Sequence, residues 1–219
     1  MKNKESVKYI TVVAMFAALA YAAMLLGKLV PNVAGFLSYD PKDAVIVIAG
    51  FILGPAAAAL LSLLVSAIEM ITVSGTGFYG LLMNVISTCA FALPAVIVYK
   101  KKRTRWGAVA GLLCGVAVMA AVMVLWNYII TPIYMNVPRE TVAGMLLPVF
   151  LPFNLVKGGI NAVIAFLVYK PVVGALRKSG LVKESESGAK SRFGLVPTLI
   201  ALEVLATLVL LLLVLVKGI

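Results

Sequence analysis

The sequence predicts an all-α, polytopic membrane protein: a helix bundle with a six-helix core and an extra C-terminal transmembrane helix. Three observations predict it. Of 219 residues, 63% are apolar and 12% charged, about half the charged share of an ordinary soluble domain. The apolar residues fall in runs near the roughly 20 that a helix needs to cross a hydrocarbon core. The net charge of +11 is gathered into basic knots between those runs.

The elements follow in order. Tyr9–Leu29 is a first span, retained rather than cleaved as a signal peptide. Ala44–Ile71 is apolar but cut at Gly54-Pro55, where a proline removes a helical hydrogen bond. Two helices are expected there, Asp43–Leu53 and Pro55–Ile71, the first too short to span and so tilted or only partly immersed. Gly80–Tyr99, Trp106–Ile130 and Leu147–Tyr169 complete the core, and Leu195–Val216 is the most lipid-like run. The chain therefore divides into a membrane domain over residues 1–180, a polar cytoplasmic linker over 181–194 and an additional span over 195–219. No internal repeat of the kind common in secondary carriers is visible.

Lysine and arginine in short loops set orientation. Lys2, Lys4 and Lys8, the knot from Lys100 to Arg105, and the Lys170–Arg192 region predict a multi-pass protein of the cell membrane with a cytoplasmic N-terminus. Basic loops beside an anionic leaflet account for the charge without nucleic acid. The outer face then carries the loops Val30–Lys42, Thr72–Tyr79 and Thr131–Leu146. Histidine is absent, and Cys89 and Cys114 lie inside apolar runs. There is no phosphate-binding glycine loop, metal-ligand cluster or string of intramembrane acids. Asp40 with Asp43 is a carboxylate pair without a histidine to support it, so enzymatic chemistry is not expected. Uphill transport would need energy from a partner.

Candidate binding residues converge on the outer face. The first outer loop offers Phe36, Leu37, Tyr39 and Asp40. The outer end of the fifth helix offers Asn127, Tyr128, Thr131 and Tyr134. The sixth helix begins with Asn154 and Lys157. Aromatic planes with a few placed polar groups suit a flat, polar-edged ligand; an interfacial aromatic belt is the plainer reading of any one of them. A lysine at bilayer depth costs about 2.5–3.5 kcal/mol on insertion scales. Asn154 shares its helix face, so the two can receive carbonyl oxygens, unless Lys157 snorkels to the headgroups. Asn84 reads first as an interhelical hydrogen bond and second as a pocket residue. Glu69, near the outer end of its helix, can reach water. Gly107, Gly111 and Gly115 form a small-residue stripe for packing within the chain. Ala14, Ala18 and Ala22 form another, which can dock a second membrane protein.

Three stretches carry a family resemblance: Phe36–Asp43 followed by Gly50-Phe51-Ile52-Leu53-Gly54-Pro55; Asn127–Pro138, with Asn-Tyr-x-x-Thr-Pro-x-Tyr; and Met145–Asn161, with Leu-Leu-Pro-x-x-x-Pro-Phe-Asn-Leu-x-Lys-Gly. Over residues 5–180 the chain resembles the riboflavin-specific S components of energy-coupling factor (ECF) vitamin transporters. The resemblance implies a six-helix bundle with a deep outward riboflavin pocket, closed by the loop after the first helix. It implies that Asn154 and Lys157 bind the isoalloxazine edge, that Asn127 reaches a polar part of the ligand and that Phe36–Asp40 covers it. It also implies docking of Ala14, Ala18 and Ala22 onto a transmembrane coupling subunit that carries two cytoplasmic ATPases. No cofactor is implied beyond riboflavin as cargo. The seventh helix departs from the family pattern. The rival expectations are a self-sufficient channel or secondary carrier for another small solute, a membrane-embedded lipid enzyme, and a sensor or scaffold.

Overall fold

The computed structural model describes residues 2–182 and 194–217, so most of the expected linker lies outside the described residues. Eight helices are described: α1 (Lys2–Gly27), α2 (Lys42–Leu53), α3 (Pro55–Thr72), α4 (Gly77–Lys101), α5 (Arg105–Met135), α6 (Arg139–Met145), α7 (Leu151–Lys178) and α8 (Leu195–Lys217). A five-residue π turn, Leu146–Phe150, joins α6 to α7. Six helical stretches are long and apolar enough to cross a membrane, and α8 is one of them.

The short helix α2 is too short to span, as expected: its 12 residues extend only about 18 Å. It lies among α1, α3, α4 and α7, and Ile46, Val47 and Ala49 are fully buried. Both of its ends need partners inside the bundle, because unsatisfied main-chain groups are costly where water is excluded. At the C-terminal end Gly54 supplies the turn with φ 112°, a conformation open to glycine. A Cβ there would stand 2.6 Å from Lys100 Nζ. Pro55 then starts α3, where its missing N–H is no loss.

Close helix contact holds the bundle, since lipid offers no hydrophobic drive between helices. Val12 and Phe16 of α1, Leu61 and Val65 of α3, Phe91 of α4 and Met119 of α5 meet α2 in one core. A Cβ at Gly111 would lie 2.5 Å from Ala95 O, and one at Gly115 2.3 Å from Phe91 O. These two glycines therefore let α5 lie directly on the backbone of α4, the internal packing expected of that stripe. Ala14, Ala18 and Ala22 instead remain exposed along α1.

The segment expected as the loop Thr131–Leu146 differs from expectation. The helix expected to stop at Ile130 continues through Pro132 to Met135, where Asn136 caps it in the left-handed conformation. Pro132 forfeits the one bond that a main-chain N–H would make to the carbonyl of Tyr128, and the helix runs on for one further turn. The chain then continues as α6. The extra helix α8 lies along α7, with Leu208 against Gly159. Leu205, Leu208, Leu212 and Leu215 also join a small cluster with Phe153, Val156 and Ile160 of α7 and with Val33 and Tyr39 of the loop that joins α1 to α2.

Candidate functional site

Between the loop that joins α1 to α2 and the ends of α3, α4, α5 and α7 lies a cavity of about 440 Å³, within the range of small-molecule sites. Of the residues singled out in the sequence, Phe36, Leu37, Tyr39, Asp40, Asn84, Asn127, Thr131, Tyr134, Asn154 and Lys157 line it. Tyr128 does not. Asn127, Thr131 and Tyr134 fall at i, i+4 and i+7 on one helix face, and Tyr128 stands about 100° round from Asn127. Its ring lies instead under the Arg139 guanidinium, 5.4 Å from the centroid.

Each wall has a local cause. On α5, Asn127 donates to Met123 O at 2.7 Å and accepts from Thr131 Oγ1 at 2.9 Å, so helix bonds fix its rotamer. On α7, Asn154 donates to Phe150 O at 2.8 Å, inside the π turn, a distortion often found at functional sites. Phe150 also meets the ring of Phe36 at 5.8 Å, tying the loop to that turn. Tyr79 and Tyr134 stand 6.1 Å apart at the rim.

Lys157 does not run out to the headgroups. It is 6% exposed. Its Nζ lies 3.4 Å from Asp43 Oδ2 and 3.5 Å from Ser87 Oγ. Asp43 Oδ1 accepts from Thr88 at 2.6 Å, while Oδ2 has the long ion pair and no hydrogen bond. Lys157 thus balances a buried carboxylate while one side of it lines the cavity.

Sequence reasoning missed most of the polar floor. Lys42, fully buried at the start of α2, bonds Asp40 through both its ammonium and its main-chain N–H. Lys42 Nζ also reaches Glu69 Oε2 at 2.8 Å, and Lys28 Nζ reaches Glu69 Oε1 at 2.9 Å. Glu69 therefore does not reach out to water, contrary to expectation. Asn84 donates to Glu69 Oε2 at 2.9 Å, so it is both the interhelical bond first expected and a lining residue. Three carboxylates, Asp40, Asp43 and Glu69, gather here beside Lys28, Lys42 and Lys157. The pairs neutralise one another, as charges inside a membrane protein must.

Asn161 was missed as a site residue. Fully buried, it accepts from Ala44 N at 3.1 Å and donates to Asp40 O and Lys157 O at 3.0 Å each. It caps the N-terminus of α2 and fastens the loop's end to α7. The visible signal was its spacing, four residues after Lys157 on the same face.

Two loop groups have shifted acidities. Burial alone would raise the Asp40 carboxyl, but the neighbouring Lys42 and Lys157 hold it below the usual carboxylate range. Burial, then Asp43 and Asp40, push the Tyr39 phenol above its ordinary value. Its hydroxyl is buried without a hydrogen-bond partner, a protonated donor at the edge of the cavity.

A family model described as "ECF transporter, substrate-specific component" matches residues 8–169. This chain belongs to that family. The S component is 30% identical over 173 residues to the riboflavin transporter FmnP of Bacillus subtilis (strain 168), covering 74% of this chain and 90% of the relative. It is 25% identical over 182 residues to the riboflavin transporter RibU of Staphylococcus aureus (strain TCH60), covering 80% and 96%. Its fold matches a solved S component of a bacterial ECF transporter with a TM-score of 0.66 and 25% identity, over 81% of this chain and 99% of that one. The S component is thus a multi-pass membrane protein and a substrate-binding subunit of an ECF-type transporter. The family match ends before α8.

Proposed function

We propose that this S component captures riboflavin from outside and delivers it inward when partner subunits hydrolyse ATP. The observation that carries the reading is the cavity under the first outer loop, with Asn154, Lys157 and the unpartnered Tyr39 hydroxyl among its polar edges and Phe36, Tyr79 and Tyr134 among its rings. That pairing of stacking surfaces with fixed donors matches a flat heteroaromatic ring edged with carbonyls. Two relatives named as riboflavin transporters favour the same ligand. Asn127 and Thr131 suit a polar part of the ligand, and Phe36–Asp40 suits a cover.

The chain has no nucleotide-binding loop, so the driving energy comes from a transmembrane coupling subunit bearing two cytoplasmic ATPases. The exposed Ala14, Ala18 and Ala22 stripe is its docking face, with the N-terminus cytoplasmic in the cell membrane. The chain makes and breaks no covalent bond; riboflavin is cargo, not cofactor.

Purified S component should carry a flavin absorption band or quench added riboflavin fluorescence at equimolar ratio. A colourless protein that leaves riboflavin fluorescence unchanged would overturn the ligand assignment. Liposomes holding the S component alone should bind riboflavin without accumulating it, which separates this reading from a self-sufficient carrier.

A further inference from the structure

The loop over the cavity has a neck. A Cβ on Gly27, the last residue of α1, would stand 2.6 Å from Pro41 Cδ and 2.8 Å from Tyr39 O. The chain therefore leaves α1 and enters α2 at almost one point, as in an Ω-loop. Between these ends run Phe36, Leu37, Tyr39 and Asp40, all facing the cavity.

One side chain from outside the loop grips both sides of the neck. Glu69 of α3 accepts from Lys28 Nζ on the α1 side at 2.9 Å and from Lys42 Nζ on the α2 side at 2.8 Å, one carboxylate oxygen to each. Asn84 of α4 steadies the second oxygen at 2.9 Å. Glu69 is 3% exposed and Lys42 fully buried, so their charge-assisted bond is little weakened by water, whereas Lys28 is exposed and its bond is partly screened.

We propose that Glu69 is the positioning residue of the covering loop: by bridging Lys28 and Lys42 it holds the neck shut and so sets how long a bound ligand stays. The proposal rests on the riboflavin reading only for the choice of probe. A carboxylate is required because both oxygens receive an ammonium. Glutamine would turn an NH₂ group toward one lysine, and aspartate is one methylene short of reaching both. Lys42 keeps Asp40 when Glu69 is changed, so the α1 side of the neck is the side released.

The test is riboflavin binding kinetics by stopped-flow fluorescence on purified full-length protein. Glu69→Gln should raise the dissociation rate about tenfold while the association rate changes less than about threefold, the usual split for a buried charge pair. Lys28→Met alters an exposed side chain and should act in the same direction. The double variant should be no faster than Glu69→Gln alone, because both changes break one bridge. An unchanged dissociation rate in Lys28→Met and Glu69→Gln, or additive effects in the double variant, overturns the proposal. Should Glu69→Gln not fold, an unchanged rate in Lys28→Met alone overturns it. If the wild type binds no riboflavin, the ligand assignment fails and the neck is tested without it. Maleimide labelling of Ser38→Cys, in a Cys89→Ser/Cys114→Ser background, should then be several-fold faster with Lys28→Met, and equal labelling rates reject the clamp.

Discussion

The ammonium of Lys157, in the second turn of α7, stands 3.4 Å from the carboxylate of Asp43, in the first turn of α2. This pair ties the cavity wall to the helix that begins where the covering loop ends. Removing one partner of a buried pair leaves an uncompensated charge and costs about 3–5 kcal/mol. Lys157→Ala should therefore weaken riboflavin binding and also lower the thermal midpoint. Lys157→Met with Asp43→Asn should recover most of the midpoint and little of the affinity. Recovery of both in the double variant would remove Lys157 from the ligand's surroundings.

Asn161 makes a different prediction. Its side chain bonds Ala44 N, Asp40 O and Lys157 O, and unmet buried groups cost about 1–3 kcal/mol each. Asn161→Leu should lower stability by about 2–4 kcal/mol, less than the full sum because the chain relaxes. Asn161→Asp keeps the bond from Ala44 but turns an acceptor toward two carbonyls, so it should be no better. Thermal unfolding in detergent measures both. A midpoint within error of wild type would mean that the capping geometry carries no energy.

Stability should be nearly flat with pH around neutrality. Asp40 is held below the ordinary carboxylate range, so the stability it contributes is complete above the unfolded value of about 3.9 and is lost only as pH falls through its lower folded value. The Tyr39 phenol is raised, so its contribution is complete below the unfolded value of about 10 and is lost at more alkaline pH. With no histidine in the chain, the thermal midpoint should vary little between about pH 5.5 and 8.5. A step in the midpoint near neutrality would contradict this assignment of charges.

Leu212 of α8 packs in the cluster that also holds Val33 and Tyr39, behind the covering loop. The main core contains no α8 residue. Leu212→Ala should therefore barely change global unfolding, yet let riboflavin leave about threefold faster, since loss of packing shows mainly in dissociation. A large fall in the unfolding midpoint with unchanged release would make α8 a stabiliser of the whole bundle instead.

The spans were readable because lipid demands long apolar runs, and Gly54-Pro55 marked the only cut within one. Lys157 and Asn154 were readable because polar groups at that depth need a reason. Tyr128 was misjudged because its helix was expected to stop at Ile130; carried through Pro132, the phase of Asn127, Thr131 and Tyr134 leaves Tyr128 on another face. Glu69 was hidden for another cause. It meets Lys28 and Lys42 across 41 and 27 positions of chain, and no local spacing encodes such a meeting. The burial of α2 was hidden similarly, because a short apolar run reads alike at a lipid edge and in a core.

The contact of Gly111 and Gly115 with the α4 main chain has a practical consequence. Two helices seated backbone to backbone have no slack to slide, so α4 and α5 form a stiff plate within an otherwise side-chain-packed assembly. A spectroscopic label on that plate is a fixed origin: distances from it to the covering loop would record the loop's travel alone, and distances to α1 would record any tilt of the proposed docking face.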